Sequence, residues 1–210
     1  MKSMNIISSC KKWLGYVGVI LFTIHCSLFI VSCSEETENE DEWDNWEQKN
    51  ETVLSQWGSN ASYRKILTYS KDGSVTGWTN SDYIYVEELE KGSGTESPLF
   101  TDTVRVAYRG HLIPTATYPE GYVFDQTYVD DFVWGTAGQT DFVTSSVVDG
   151  FATALMNMHV GDRWRVRIPY MLGYGTSSTT TITGYSNLVF EIAMYDFWHP
   201  GETRPSAKSR

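Results

Sequence analysis

The chain has 210 residues, of which 41% are hydrophobic, 20% charged and 14% aromatic. That is ordinary globular composition for one or two domains, and it excludes a collagen-like, wholly disordered or multi-span membrane chain. The formal charge is −10, and Lys2, Lys11 and Lys12 are the only charged residues among the first 32. The remainder is therefore more acidic still, a surface that repels phosphate backbones and argues against nucleic-acid binding.

Those three lysines precede an uncharged run from Leu14 to Ser32. A basic start followed by an apolar run is an export signal or an anchor. A run of 19 residues is also long enough to span a bilayer, so length leaves both open. The run ends in Ile30-Val31-Ser32-Cys33, which resembles the bacterial lipobox. The resemblance implies a signal peptide over 1–32, cleavage before Cys33, and a lipid on the Cys33 sulfur that holds the protein to a membrane. Cys10 and Cys26 then leave with the signal, so no disulfide and no cysteine metal site remains. From Ser34 to Glu42, six of nine residues are acidic, which reads as a solvated, extended tether. A lipid-linked cysteine followed by Ser and acids also resembles the surface-export signal of Bacteroidetes lipoproteins.

Beyond the tether, Trp46, Val53, Leu54 and Trp57 recur at helical spacing and predict a short helix that ends at Gly58-Ser59-Asn60. Tyr63 to Tyr69 and Tyr83 to Leu89 read as strands separated by a turn at Lys71-Asp72-Gly73. From Thr103 the pattern alternates. Val104, Val106 and Tyr108 share one face, and Arg105, Ala107 and Arg109 share the other, which predicts a half-buried antiparallel strand. Trp164, Val166 and Ile168 alternate with three arginines in the same way, as do Leu188, Phe190, Ile192 and Met194 with their neighbours. Phe151, Ala154, Leu155 and Met158 predict one short helix, with Asp149 at its start and Gly161 as its left-handed cap. The expected fold is α+β: a curved antiparallel β-sheet wrapped around one short helix, with an N-terminal helix and extra strands. The expected organisation is a signal peptide over 1–32, tether and short helix over 33–60, a strand extension over 61–97, one domain over 98–198, and a flexible tail over 199–210.

The order of motifs is more specific than any one of them. Val104-Arg105-Val106-Ala107-Tyr108-Arg109-Gly110 is followed by Gly121-Tyr122-Val123-Phe124-Asp125, then Val147-Val148-Asp149-Gly150-Phe151 and Leu155 to Asp162. Ile168-Pro169, Leu172-Gly173-Tyr174-Gly175 and Asn187 to Glu191 complete the series. This order resembles the FKBP-type peptidyl-prolyl cis-trans isomerase domain, in the form carried by Bacteroidetes lipoproteins. The resemblance implies a pocket lined by Tyr108, Phe124, Asp125, Phe142, Val147, Val148, Phe151, Tyr174, Ile182 and Phe190. It implies that Tyr108, Asp125 and Tyr174 take part in catalysis. The Tyr174 hydroxyl would bond the substrate carbonyl, and the Val148 N–H would bond the peptide backbone. Proline-containing polypeptides are the implied partners, macrolide inhibitors the implied competitors, and no cofactor is implied.

The chemistry agrees with such a residue set. Rotation about a peptide bond faces a barrier of about 18–20 kcal/mol from lost amide resonance. The twisted amide is less polar than the planar one, so a dry aromatic pocket favours it, which is catalysis by differential binding. No nucleophile, metal or general base is required. His111, His159 and His199 show no ligand spacing, and no metal site is expected.

Three departures from the family pattern bear on activity. Phe151 stands where the family usually has a tryptophan. Leu112 to Pro119 forms an insertion, and Thr176 to Thr183 gives the loop after Gly175 a polar lip. Two alternatives stay open from sequence: a non-catalytic module that holds proline-containing chains on the same fold, and a surface lipoprotein that uses aromatics in glycan uptake.

Overall fold

The computed structural model describes residues 41–203; the signal, Cys33 and the acidic run before Asp41 lie outside the described residues, as do residues 204–210. Among the described residues the elements run α1 (Trp46–Ser59), β1 (Arg64–Leu67), β2 (Tyr83–Glu90), β3 (Thr103–Leu112), β4 (Val123–Gln126), β5 (Thr140–Val143), α2 (Asp149–Leu155), β6 (Arg163–Ile168) and β7 (Leu188–Trp198). Short 3-10 turns stand at Asn80–Asp82, Thr144–Ser146 and Tyr170–Leu172.

All strand pairs are antiparallel, in the order β1-β2-β6-β7-β3-β4. β3 is the hub. Along one edge it pairs with β7 over its whole length; along the other it pairs first with β5, then with β4. Register shifts at Arg105/Val106 against β7, at Gly110/His111 against β4 and at Glu88/Glu90 against β6 mark bulges, which strengthen the local twist. The result is an open curved sheet whose concave side receives α2, the α+β arrangement expected. Gly150 lets the helix settle there, since a Cβ would stand 2.2 Å from Ile168.

The core joins Trp164, Val166 and Ile168 of β6, Leu188, Ile192 and Met194 of β7, Val104 and Val106 of β3, and Ala154, Leu155 and Met158 from α2 and the turn after it. α1 belongs to it as well, through Trp46, Leu54 and Trp57. Asn50 lies on the same buried face. Its Oδ1 accepts the Asn187 N–H at 2.8 Å, and its carbonyl accepts from Asn187 Nδ2 at 2.7 Å. Asn187 Oδ1 in turn accepts the Tyr170 N–H at 2.9 Å, and Trp46 Nε1 donates to Ser186. α1 is thus stitched to the chain that enters β7.

Several expectations are corrected. β3 is buried on both faces rather than half-buried: Arg105 is buried, gripped by Asp141 at 2.9 and 3.2 Å and lying 5.3 Å from the Trp198 ring. Its charge is neutralised by the facing residue of β5, which alternation along β3 cannot reveal. β1 ends at Leu67, because Thr68 and Tyr69 leave the strand to bond Thr153 of α2. α2 ends at Leu155, and Asn157 caps it by donating to the Thr153 carbonyl. Gly161, with φ 93°, serves a later turn whose N–H donates to the Met194 carbonyl. Glu42 is not free tether: its carboxylate accepts from Thr115 Oγ1 and from the Thr117 N–H, which fastens the Leu112–Pro119 insertion. His199 is tied down as well, bonding Asp102 through Nδ1. β4 and β5, at four residues each, were too short to show a period.

Candidate active site

The bulged, twisted course of β3 turns Tyr108 toward α2. Its ring centroid stands 5.7 Å from Phe142 of β5, 6.0 Å from Phe151 of α2 and 6.2 Å from Phe190 of β7. Phe151 and Phe190 meet edge to face at 4.9 Å, and Phe124 of β4 meets Phe190 likewise at 5.4 Å. This geometry sets ring edges against π-faces and stabilises the cluster beyond simple burial. Five rings from five elements therefore form one wall.

Gly110 is the residue that sequence reasoning passed over. A Cβ there would lie 2.5 Å from Phe190 and 2.7 Å from Phe124. Only bare backbone lets those two rings close over the strand. The available signal was a glycine inside an alternating strand, which often marks a close approach.

The polar side of the wall is set by β4. Thr127 exchanges two bonds with Tyr108: its N–H donates to the Tyr108 carbonyl at 2.9 Å, and its Oγ1 accepts the Tyr108 N–H at 2.9 Å. That clamp places Asp125, two residues earlier, at the Tyr108 side chain. The Tyr108 hydroxyl donates to Asp125 Oδ2 at 2.5 Å. Burial first, and then this bond and the carboxylate charge, push the Tyr108 hydroxyl above the ordinary phenol range. It is a proton donor at neutral pH, held by an exposed carboxylate.

Tyr174 stands at the rim, 43% exposed. It sits in a turn closed by the Gly175 N–H, which donates to the Tyr170 carbonyl at 2.8 Å, and Gly175 takes φ 67°. Its hydroxyl is also pushed upward, by burial and then by the charge of Asp125. Both tyrosine hydroxyls therefore lie in the field of one carboxylate. The polar loop beyond is braced by its own hydroxyls: Thr179 Oγ1 accepts the Ile182 N–H, and Ser178 Oγ accepts the Gly184 N–H. Ile182 points inward and is buried.

Val147 and Val148 follow the Thr144–Ser146 turn and pack half-buried against the core. Val148 takes the extended position before α2, and its carbonyl accepts the Ala152 N–H. The turn is anchored where Thr144 donates to the Asp102 carbonyl through N–H at 2.9 Å and Oγ1 at 3.1 Å. Of the expected site residues, Tyr108, Phe124, Asp125, Phe142, Phe151 and Phe190 are in direct contact with one another, and Tyr174 feels Asp125. Val147, Val148 and Ile182 join the same core. Cys33 lies outside the described residues.

A curved sheet around one helix, with a phenol-and-phenyl wall and two tyrosine donors, defines an apolar site with hydrogen-bonding but no nucleophilic equipment. Residues 94–195 match the family model described as FKBP-type peptidyl-prolyl cis-trans isomerase. The chain carries an FKBP-type domain over that span. It is 37% identical over 115 residues to a probable FKBP-type 25 kDa peptidyl-prolyl cis-trans isomerase of Pseudomonas aeruginosa, covering 54% of this chain and 44% of that protein. It is 33% identical over 109 residues to the FKBP-type 22 kDa peptidyl-prolyl cis-trans isomerase of Escherichia coli, covering 51% of this chain and 47% of that one. The chain thus spans about half the length of the curated relatives it matches. The crystal structure of FkpA from Escherichia coli shares the fold, with a TM-score of 0.55 at 20% identity over 93% of this chain and 74% of that one.

Proposed function

We propose that this chain is a peptidyl-prolyl cis-trans isomerase that assists the folding of exported proteins, with the ring wall around Tyr108 as its active site. The observation that carries the reading is the Tyr108–Asp125 bond set within five converging rings, in a domain of that family. An X–Pro amide that twists out of plane loses charge separation, and the rings favour that less polar state over the planar one. The Tyr174 hydroxyl donates to the substrate carbonyl, and the Val148 N–H holds the peptide backbone. Asp125 keeps the Tyr108 ring in place and its hydroxyl turned away from the proline. Unaided X–Pro isomerisation takes tens to hundreds of seconds, slow enough to limit folding.

The test is isomerisation of a short X–Pro peptide by the chain from residue 34 onward. Acceleration that a macrolide inhibitor of the family suppresses is the expected result. Binding of the peptide without acceleration would instead establish a non-catalytic module. Phe151 in place of tryptophan is the feature that would account for that outcome.

We also propose a location in the cell envelope, with the chain held to the outer membrane by a lipid on Cys33. The support is Lys2, Lys11 and Lys12, the uncharged run to Ser32, and Ile30-Val31-Ser32-Cys33. Cys33→Ser should remove the lipid mass from the N-terminal peptide and leave residues 1–32 attached, read as a heavier polypeptide by mass spectrometry.

A further inference from the structure

Beside the ring wall lies a second, exposed set of apolar side chains that the reaction does not use. Tyr69 and Phe100 meet in a tilted contact with centroids 4.9 Å apart, yet each keeps 37% of its surface in solvent, and Leu99 keeps 58%. They come from separate parts of the chain, the segment after β1 and the loop before β3, and both parts are fastened to the corner that carries Val147 and Val148. The Tyr69 N–H donates to Thr153 Oγ1 at 3.2 Å, and the Tyr69 hydroxyl donates to Asp149 Oδ1 at 3.0 Å, on the residue next to Val148. On the other part, the Leu99 N–H donates at 2.7 Å to the fully buried Asp102 carboxylate, and the Asp102 carbonyl holds Thr144 at the start of the same corner. A ring pair pinned in this way and still left in water is a preorganised apolar surface, bonded to the residue next to Val148.

We propose that Tyr69, Leu99 and Phe100 form a shelf for a large apolar side chain of the client polypeptide that flanks the X–Pro bond, an inference that rests on the isomerase reading. An extended chain advances about 3.3 Å per residue. Tyr69 is bonded to the neighbour of Val148, so a chain held at the Val148 N–H reaches the shelf within about one to three residues of its proline. The shelf selects unfolded segments in which proline and an apolar residue are close together. Such segments are exposed before folding and buried after it.

The experiment uses the full-length chain in detergent solution and two fluorescent twelve-residue peptides. Both contain one Ala-Pro bond; one has Leu or Phe at the three flanking positions on each side, the other has Ser. The expected result is about tenfold tighter binding of the apolar peptide. Phe100→Ser and Leu99→Ser should each reduce that ratio to less than threefold, with thermal unfolding checked for each variant. Leu99 is largely exposed, so its variant tests the shelf even if Phe100→Ser unfolds. Equal binding of the two peptides by the unaltered chain would overturn the shelf, as would a ratio that survives in folded variants. A concentration-dependent rise in sedimenting mass that Phe100→Ser abolishes would show a second copy of the chain on this surface, and would also overturn it. Isomerisation of a four-residue peptide, measured in parallel, reports on the isomerase reading alone. Absence of that activity in the unaltered chain, with the binding ratio intact, would overturn the isomerase reading and with it the shelf's proposed part in presenting X–Pro bonds for isomerisation.

Discussion

Asp125 is exposed, yet it holds the hydroxyl of Tyr108, whose ring is buried among phenylalanines, at 2.5 Å. The bond fixes one face of the site from outside. Asp125→Ala should lower kcat/KM for an X–Pro peptide about tenfold. It should cost about 1–3 kcal/mol of stability, because the phenol loses its acceptor inside an apolar wall. Tyr108→Phe removes donor and need together and should be milder on stability. Chemical denaturation of both variants beside a protease-coupled or NMR exchange assay checks the pair.

Tyr174 makes the opposite kind of contribution. It is half out in solvent, and its hydroxyl faces the substrate side in the proposed mechanism. Tyr174→Phe should reduce kcat/KM about tenfold, the equivalent of about 1.4 kcal/mol in the transition state. Its free energy of unfolding should stay within about 0.5 kcal/mol of the parent. A large loss of stability with unchanged turnover would assign the residue to packing.

Gly110→Ala puts a methyl group where Phe190 and Phe124 cross the strand. Overpacking of this kind costs about 1–3 kcal/mol. Here it should also spread the rings and raise KM for peptide more than it lowers kcat. Near-ultraviolet circular dichroism, which reports ring packing, should change along with it.

Asn50→Ala deprives the buried Asn187 N–H of its acceptor. A loss of about 1–3 kcal/mol is expected, with little change in kcat because no ring of the site moves. A variant as stable as the parent would mean that α1 is held by its apolar packing and the remaining bonds to Ser186 and Asn187, without need of the Asn50 side chain.

His199 supplies a pH-dependent term. Its hydrogen bond to the buried Asp102, reinforced by that carboxylate's charge and by Glu202 and Glu96, raises its pKa above the ordinary value of 6.5. A base whose pKa rises on folding contributes stability that is fully present below the unfolded value and is lost as pH rises through the folded one. The Tm gap between the parent and His199→Gln should therefore be widest at pH 6 and close by pH 9. A gap that is flat with pH would remove the ion pair from the account.

Local pattern carried much of this fold. The alternation of Trp164, Val166 and Ile168 survives intact because β6 has one face on the core and arginines on the other, whereas β7, paired on both sides, also buries Val189 and Ala193 of its second face. The ring wall was legible through motif order, since spacing alone would have left Phe124, Phe151 and Phe190 as ordinary core. What was hidden depends on partners distant in sequence. Arg105 is buried only because Asp141 faces it across the ladder, and Asn50 sits on an apolar face only because Asn187 satisfies it. Tyr69 left its strand for a threonine more than eighty positions away. No periodicity within a segment records such bonds.

β1 closes one side of the sheet with only four residues, two of them the exposed cations Arg64 and Lys65. Unpaired strand borders are templates for foreign chains, and short, lysine-bearing borders are poor ones. A protein with the proposed function would work among sticky, half-made polypeptides and would need that protection. Under the proposed function, client chains would be gripped by rings and released without being recruited into an amyloid-like extension of the sheet.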